Sequence, residues 1–325
     1  MRCPTLKELP SPLKEKMGWP WTEESKQLSD QMPDGRAWPR ITIVTPSFNQ
    51  GVFIEETIRS VLLQGYPNLE YIVLDGASTD NSVEIIKKYE PWLSYWMSEP
   101  DSGQSDAINR GLKMGSGLFA TWINSDDLLE KEALFSHGMK AEFNEREVYV
   151  GLCSYVDQMG NYKFTRTPRV HSLNDLLSVE KVWRSGGNIV QPEVLFPRSL
   201  FFEVGGLNLE NHYTMDYELW GKFLLAEIPF RYTGIKFARA RNHSQQKTAD
   251  GYRQTRAMLK TAAKLVEEAH HLPKERKAEI HKELCQYWDT WEKTSWKDSG
   301  RLAKLGLSPM IVTLLRKITA QLIKR

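Results

Sequence analysis

Residues 41–76, ITIVTPSFNQGVFIEETIRSVLLQGYPNLEYIVLDG, decide the fold. "ITIVTP" is a short β-rich apolar run that stops at Pro46, and "FIEETIRSVLLQG" carries Ile54, Ile58, Val61 and Leu62 at helical spacing. "YPN" turns the chain into "LEYIVLDG", a second apolar strand. A strand, a helix and another strand in immediate succession form a βαβ unit, which requires a parallel sheet covered by helices on both faces.

The alternation continues outward. "SVEIIKKY" is a short amphipathic helix, "SYWMS" a third strand, "SDAINRGLKMG" a helix with Gly115 near its end, and "LFATWI" a fourth strand. After Asp127 the pattern loosens: "EKEALFSHGMKAEFN" reads as a helix, and "EVYVGLCSYVD" with "YKFTR" as a hairpin around Met159-Gly160-Asn161. Residues 249–325 read as two or three helices joined near Pro273 and Gly306, and residues 1–39 as an irregular lead-in rich in Pro, Trp and charge. The expected fold class is α/β, with a mostly parallel sheet, flanking helices and a C-terminal helical extension.

Composition bounds the function. With 41% hydrophobic and 26% charged residues, the chain fits a soluble globular protein. No run of about 18 apolar residues supports a transmembrane helix. The first residues, MRCPTLKELPSPLKEK, lack the apolar centre of a secretory signal. Cys3, Cys153 and Cys285 are too scattered for a disulfide framework or a zinc motif, so a cytoplasmic setting is expected. Residues 301–325 carry six Lys or Arg and no acid; subtracting these from the overall +2 leaves −4 on residues 1–300. The body therefore gives no reason to expect nucleic acid.

Three of the parallel-type strands end in small polar or acidic residues: Thr45-Pro46-Ser47 continuing to Asn49, then Asp75 followed by Gly76, then Asn124-Ser125-Asp126-Asp127. One such end would be a turn or a helix cap. Three in register mark the ligand crevice at the carboxyl ends of an open α/β sheet. Gly115-Ser116-Gly117, by contrast, only mimics a dinucleotide fingerprint, since a helix precedes it and a strand follows. It reads as a helix stop and turn.

Residues 45–80, "EPDSGQSDAINRGL" and "WINSDD" resemble the nucleotide-sugar half of family 2 glycosyltransferases, which have the GT-A (Rossmann-like) fold. "QPEVLF", "VGGLN", "MDYELW" and "HSQQKT" resemble the acceptor half of that family. The resemblance places the glycosyltransferase domain at 40–248, with a nucleotide-sugar half at 40–128 and an acceptor half at 129–248. It implies transfer of a sugar, usually with inversion, from a nucleoside diphosphate donor to an acceptor hydroxyl on a glycan or lipid-linked glycan. Such transfer needs a Mg²⁺ or Mn²⁺ ion for the diphosphate and a carboxylate base for the acceptor.

On this resemblance Asp126 is the metal ligand, with His243 near the diphosphate or the metal. Asp127 contacts ribose or caps the helix expected after it. The family loop often reads Asp-x-Asp, and Asn124 departs from it. Thr45, Pro46, Ser47, Asn49, Asp75, Asp101, Gln104, Asp106 and Ser125 are the expected donor-binding residues. Gly76 stands where many uridine-diphosphate users have a second Asp, which leaves thymidine and guanosine diphosphates open. Asp216 is the expected base, at the first turn of "MDYELWGKFLL", with Glu218 as its substitute. Gln191 and Glu193 line the expected acceptor cleft.

The tail "MIVTLLRKITAQLIKR" places Ile311, Leu314, Leu315, Ile318 and Leu322 on one helical stripe flanked by basic residues. It fits either a helix docked on the body or a peripheral contact with an anionic membrane. Two rivals to the enzyme reading are a non-catalytic nucleotide-sugar sensor or scaffold and a glycoside hydrolase using two carboxylates.

Overall fold

The computed structural model describes residues 1–136, 143–244, 246 and 250–298. One mixed sheet of nine strands runs through them, in the order β3-β2-β1-β4-β8-β6-β9-β5, with β7 paired to β6. The βαβ reading of residues 41–76 holds: β1 (Ile41–Ser47), α1 (Ile54–Leu62) and β2 (Leu69–Asp75) follow in turn, with β1 and β2 parallel. After α2 (Ser82–Tyr89), β3 (Tyr95–Ser98) joins β2 in parallel. After α3 (Gln104–Met114), β4 (Phe119–Trp122) joins the other side of β1, also in parallel.

Alternation along these strands builds a core on each face. Ile43, Tyr71 and Val73 pack on one side against α1 and the lead-in, while Val44, Ile72 and Leu74 pack on the other against α3. The α3 helix lies unusually near β1, because a Cβ at Gly111 would fall 2.6 Å from a methyl of Val44. The Gly115–Gly117 turn ends α3 and presses on Thr42, at the opposite end of β1 from Ser47, in agreement with its reading as a helix stop.

Beyond β4 the sheet changes character. The two-residue β5 (Leu128–Leu129) leaves the β4 edge and pairs antiparallel with β9 (Phe230–Asn242) at the far end. β6 (Val148–Asp157) and β7 (Tyr162–Arg166) form the expected antiparallel hairpin. β8 (Val194–Pro197) runs antiparallel to both β4 and β6 and so links the halves, and β6 runs parallel to β9. Of the helix expected over "EKEALFSHGMKAEFN", residues 133–136 are helical and 137–142 lie outside the described residues. The second core face is completed by α4 (Leu173–Leu177), α5 (Arg198–Glu203), α6 (Met215–Leu225), α7 (Gly251–Glu268) and α8 (Lys274–Asp298). No described helix is long and apolar enough to cross a membrane, and the basic stretch 301–325 lies outside the described residues.

The lead-in is irregular, as expected, yet it belongs to the core. Trp19, Trp21 and Trp38 are buried, and the Trp19 indole donates to the Leu129 carbonyl at 2.9 Å. Its anchor is Arg59 of α1, fully buried. The guanidinium donates to the carbonyls of Pro10, Pro20 and Trp21 at 2.9–3.1 Å and to the Tyr89 hydroxyl at 3.0 Å. Three main-chain carbonyls without secondary-structure partners are thereby satisfied by one side chain. An Arg59→Ala variant is expected to lose more than about 3 kcal/mol, since each orphaned carbonyl costs ~1–3 kcal/mol. Urea unfolding and tryptic cleavage within residues 1–39 read this, and an unchanged midpoint would show the lead-in to be weakly attached.

Candidate active site

The carboxyl ends of β1, β2 and β4 open onto a cleft of about 630 Å³. One wall is Pro46, Ser47 and Gly76 with the loop carrying Asp101 and Gln104; Trp122, the 124–127 turn and Gln191 form the floor. The far wall is Tyr213, Met215 and Asp216 at the start of α6. The Ser105 hydroxyl of α3, 2.9 Å from the Met215 sulfur, ties the two walls together.

The 124–127 turn is built as a unit. Asp127 N–H donates to the Asn124 carbonyl at 3.0 Å, and the Asn124 amide donates to one Asp127 carboxylate oxygen at 3.2 Å. The other oxygen accepts the Arg241 main-chain N–H at 3.0 Å. Asp127 is buried, and desolvation together with the Asp126 charge pushes its carboxyl well above the usual range. The helix-cap reading of Asp127 is corrected, because β5 follows it directly. Asn124 also accepts from the Gln104 amide at 2.6 Å. An amide can accept on one side and donate on the other. A carboxylate here could only accept, and would add a further negative charge beside Asp126.

Asp126 points the other way. Its Oδ2 lies 2.9 Å from Nε2 of His243, whose buried ring packs on Phe53 at 4.7 Å between centroids. Arg241, two residues before His243, is the residue that sequence reasoning missed. Its buried guanidinium donates to the Asp126 carbonyl at 3.0 Å, the Gln158 carbonyl at 3.0 Å and the Glu56 carboxylate at 2.9 Å. It lies within the "ARARNH" run of alternating basic residues, where nothing in the spacing separates the buried Arg241 from the half-buried Arg239.

Asp216 faces the cleft from the first turn of α6. Its Oδ1 accepts the Tyr217 N–H at 2.8 Å, and burial pushes its carboxyl up to about 6. Gly76 meets Asp101: a Cβ at position 76 would stand 3.1 Å from a carboxylate oxygen of Asp101. The expected residues Pro46, Ser47, Asp101, Gln104, Ser125, Asp126, Asp127, Gln191 and Asp216 thus share one cleft.

Seven others do not line it, among them His243, which stands behind Asp126. Asp75 is buried beneath it, accepting from the hydroxyls of Ser47, Ser78 and Ser98 and from the Ser78 N–H, which leaves no oxygen for a ligand. The Thr45 hydroxyl lies 3.0 Å from the Tyr71 hydroxyl inside the sheet. Asn49 braces the neighbouring loop through the Thr79 N–H, and Asp106, in the first turn of α3, accepts the Ser102 N–H of the loop before it. Glu193 is fully buried, accepting the Val190 N–H, and desolvation raises its carboxyl well above the usual range. Glu218 turns away toward α7, bonded to Asn211 and Lys264, which removes it as a substitute base. Cleft residues missed from sequence include Trp122, Tyr213 and Gln246.

Residues 42–206 match the family described as glycosyl transferase family 2. A glycosyltransferase of Mycobacterium tuberculosis is 29% identical over 181 residues, covering 55% of this chain and 67% of its own. TuaG of Bacillus subtilis, named for teichuronic acid biosynthesis, is 34% identical over 99 residues, 30% of this chain and 39% of its own. Among solved structures, S. aureus TarS bound to UDP-GlcNAc superposes with a TM-score of 0.56 at 17% identity, over 74% of this chain and 70% of that one. The mannosyltransferase PcManGT from Pyrobaculum calidifontis, in complex with GDP-Man and Mn²⁺, gives 0.53 at 20% identity, over 91% and 84%. Both likenesses are of fold. The chain belongs to glycosyl transferase family 2, and its architecture is that of the GT-A glycosyltransferases.

The raised Asp216 carboxyl has a consequence for stability. The unfolded group titrates near 3.8 and the folded one near 6. The neutral form is therefore favoured in the fold, and this stabilisation, complete below about pH 4, is lost as pH rises through 6. Asp216→Asn should be more stable than the parent by about 1–3 kcal/mol at pH 8 and nearly equal to it at pH 4. Thermal unfolding at both pH values reads the difference; equal gaps at both would contradict the burial cost.

Proposed function

We propose that the protein is a divalent-cation-dependent, inverting glycosyltransferase acting in polysaccharide or glycoconjugate assembly. In this reading it moves a sugar from a nucleoside diphosphate to a hydroxyl of a glycan or lipid-linked glycan. The observation that carries the reading is the charge of the cleft. Asp101, Asp126 and Asp216 line it, beside Asp127 whose charge burial suppresses, and among its described lining residues there is no Lys or Arg. A diphosphate entering such a site needs a cation brought with it.

Asp126 and His243 are the donors suited to hold Mg²⁺ or Mn²⁺. Their oxygen and nitrogen already converge, and the described residues offer no group of three or more His, Cys, Asp or Glu for a closed protein cage. Two protein donors completed by phosphate oxygens and water are the usual mode for these ions. When bound, the ion neutralises the leaving diphosphate. Asp216, on the opposite wall, takes the proton of the acceptor hydroxyl, and its carboxyl near 6 leaves it ionised at neutral pH. The α6 N-terminus favours that ionised form.

Asn124 and Gly76, the two departures from the family pattern, do not favour a non-catalytic sensor. Asn124 has a positioning task between Gln104 and Asp127, and the Asp101 carboxylate stands beside Gly76, so neither departure calls for a loss of chemistry. We place the protein in the cytoplasm, with residues 301–325 as its peripheral membrane contact; liposome flotation of the full chain against one ending at Ser299 tests this, and equal flotation would remove the membrane contact.

Activity is tested with purified protein, Mn²⁺ and a panel of nucleotide sugars, reading donor hydrolysis or transfer. Asp126→Ala is expected to lower turnover by about 10²-fold or more. Asp216→Asn is expected to remove transfer by about 10²–10⁴-fold while donor affinity stays nearly intact. The rate should climb as pH rises through about 6, in step with Asp216 ionisation. Full activity of Asp126→Ala would overturn the metal role, and loss of donor binding in Asp216→Asn would overturn the base role.

A further inference from the structure

The β6–β7 hairpin carries an aromatic and cationic surface that the cleft does not use. Tyr155 of β6 stands opposite Phe164 of β7, and their rings stack at 4.7 Å between centroids and 23° between planes. Phe164 is 40% exposed. The Arg166 guanidinium lies 5.3 Å from the centre of the Tyr155 ring and 5.4 Å from that of Phe164. It also donates to the Asn188 side-chain oxygen at 2.8 Å. Arg169 is exposed and donates to the Ser185 hydroxyl at 2.7 Å.

These partners orient both guanidiniums without neutralising them. Among the described residues no carboxylate pairs with either arginine. Acids nearby in the chain are engaged elsewhere, Asp157 with Lys163 at 2.8 Å and Asp175 with the His171 N–H and the Ser172 hydroxyl. The two side chains approach adjacent glycines. A Cβ at Gly186, whose φ is +90°, would stand 3.5 Å from Nη1 of Arg166, and one at Gly187 would stand 2.8 Å from Nε of Arg169. Positioned forks whose charge is unspent suit a carboxylate or phosphate, because little freedom is left to lose on binding.

The surface continues into the site. Residues 179–187 form a π-helical segment whose Trp183 packs edge-on against Tyr217, the residue after Asp216, at 4.7 Å between centroids. Asn188 follows that segment, and Gln191 of the cleft floor comes three residues later, a span of at most roughly 11 Å. The cleft is acidic, without Lys or Arg among its described lining residues. A negative charge on the acceptor is therefore better held outside it, at the hairpin. Phe164 adds exposed apolar surface for a sugar ring beside that charge.

We infer that Arg166 and Arg169, with the Tyr155–Phe164 stack, form an outlying acceptor subsite for an acidic sugar of the acceptor glycan. The hydroxyl end of that glycan enters the cleft, and its anionic group is gripped at the hairpin. This rests on the glycosyltransferase reading above and adds to it the chemical class of the acceptor.

Calorimetry of the full chain with trigalacturonate, a heparin tetrasaccharide, maltotriose and phosphatidylglycerol vesicles tests the subsite, with nucleotide sugars in Mn²⁺ titrated separately. At least one acidic oligosaccharide should bind about tenfold tighter than maltotriose or more, and the preference should fade as salt is raised. Arg166→Gln and Arg169→Gln should each weaken that oligosaccharide by about tenfold. Both should leave nucleotide-sugar affinity unchanged, which also shows the variants to be folded. Phe164→Ala should weaken the acidic oligosaccharide as well. No preference for either acidic probe, affinity unchanged in both arginine variants, or binding of the vesicles alone would overturn the subsite while leaving the glycosyltransferase reading intact. Failure of the parent to bind any nucleotide sugar would instead overturn that reading, and the acceptor assignment with it.

Discussion

Arg241 is the side chain on which the site's geometry depends. It reaches from the end of β9 to the metal-loop carbonyl of Asp126, to α1 through Glu56, and to the hairpin turn through Gln158. Its own N–H fixes Asp127, and its guanidinium lies over the Phe53 ring. A delocalised, permanently charged fork can serve three separated acceptors inside the protein, which an ammonium on a flexible stem cannot do as well. The loop after β4 leaves the parallel half of the sheet and crosses to β9. Arg241 closes that crossing and so holds Asp126 at the cleft.

The acidic cleft follows from the same construction. Asp127 sits behind Asp126, buried and bonded on both oxygens, so two neighbouring carboxylates have different environments. One is a structural acid whose charge is suppressed by burial; the other remains at the cleft, with the buried His243 ring behind it. Asp216 stands across the floor on a separate helix, with its carboxyl raised to about 6. Differences in solvation and hydrogen bonding thus separate the tasks of three chemically similar side chains.

Much of this was legible in the sequence because the parallel half obeys local rules. β1, β2 and β4 are short apolar runs, the helices between them have clear spacing, and the polar strand ends mark the crevice. Chain periodicity cannot show where a side chain goes at a strand end. Asp75 and Ser47 both end strands, yet Asp75 is saturated by serine hydroxyls and Ser47 lines the cleft. Glu193 and Glu218 matched the family's acceptor segments but turn into the core and toward α7. The lead-in lacked periodicity because its order comes from Arg59 and buried tryptophans, which are long-range contacts. Arg241 and Trp122 were hidden for the same reason.

The central claim is that an acidic cleft without Lys or Arg among its described lining residues takes a diphosphate only together with a divalent cation held at Asp126. Calorimetric titration of nucleoside diphosphates into the purified full chain, with Mn²⁺ and again with EDTA, tests it most directly. At least one diphosphate is expected to bind more than about tenfold tighter with Mn²⁺, and that gain to disappear in Asp126→Ala. Equal affinity in EDTA, or a gain that survives the substitution, would contradict it.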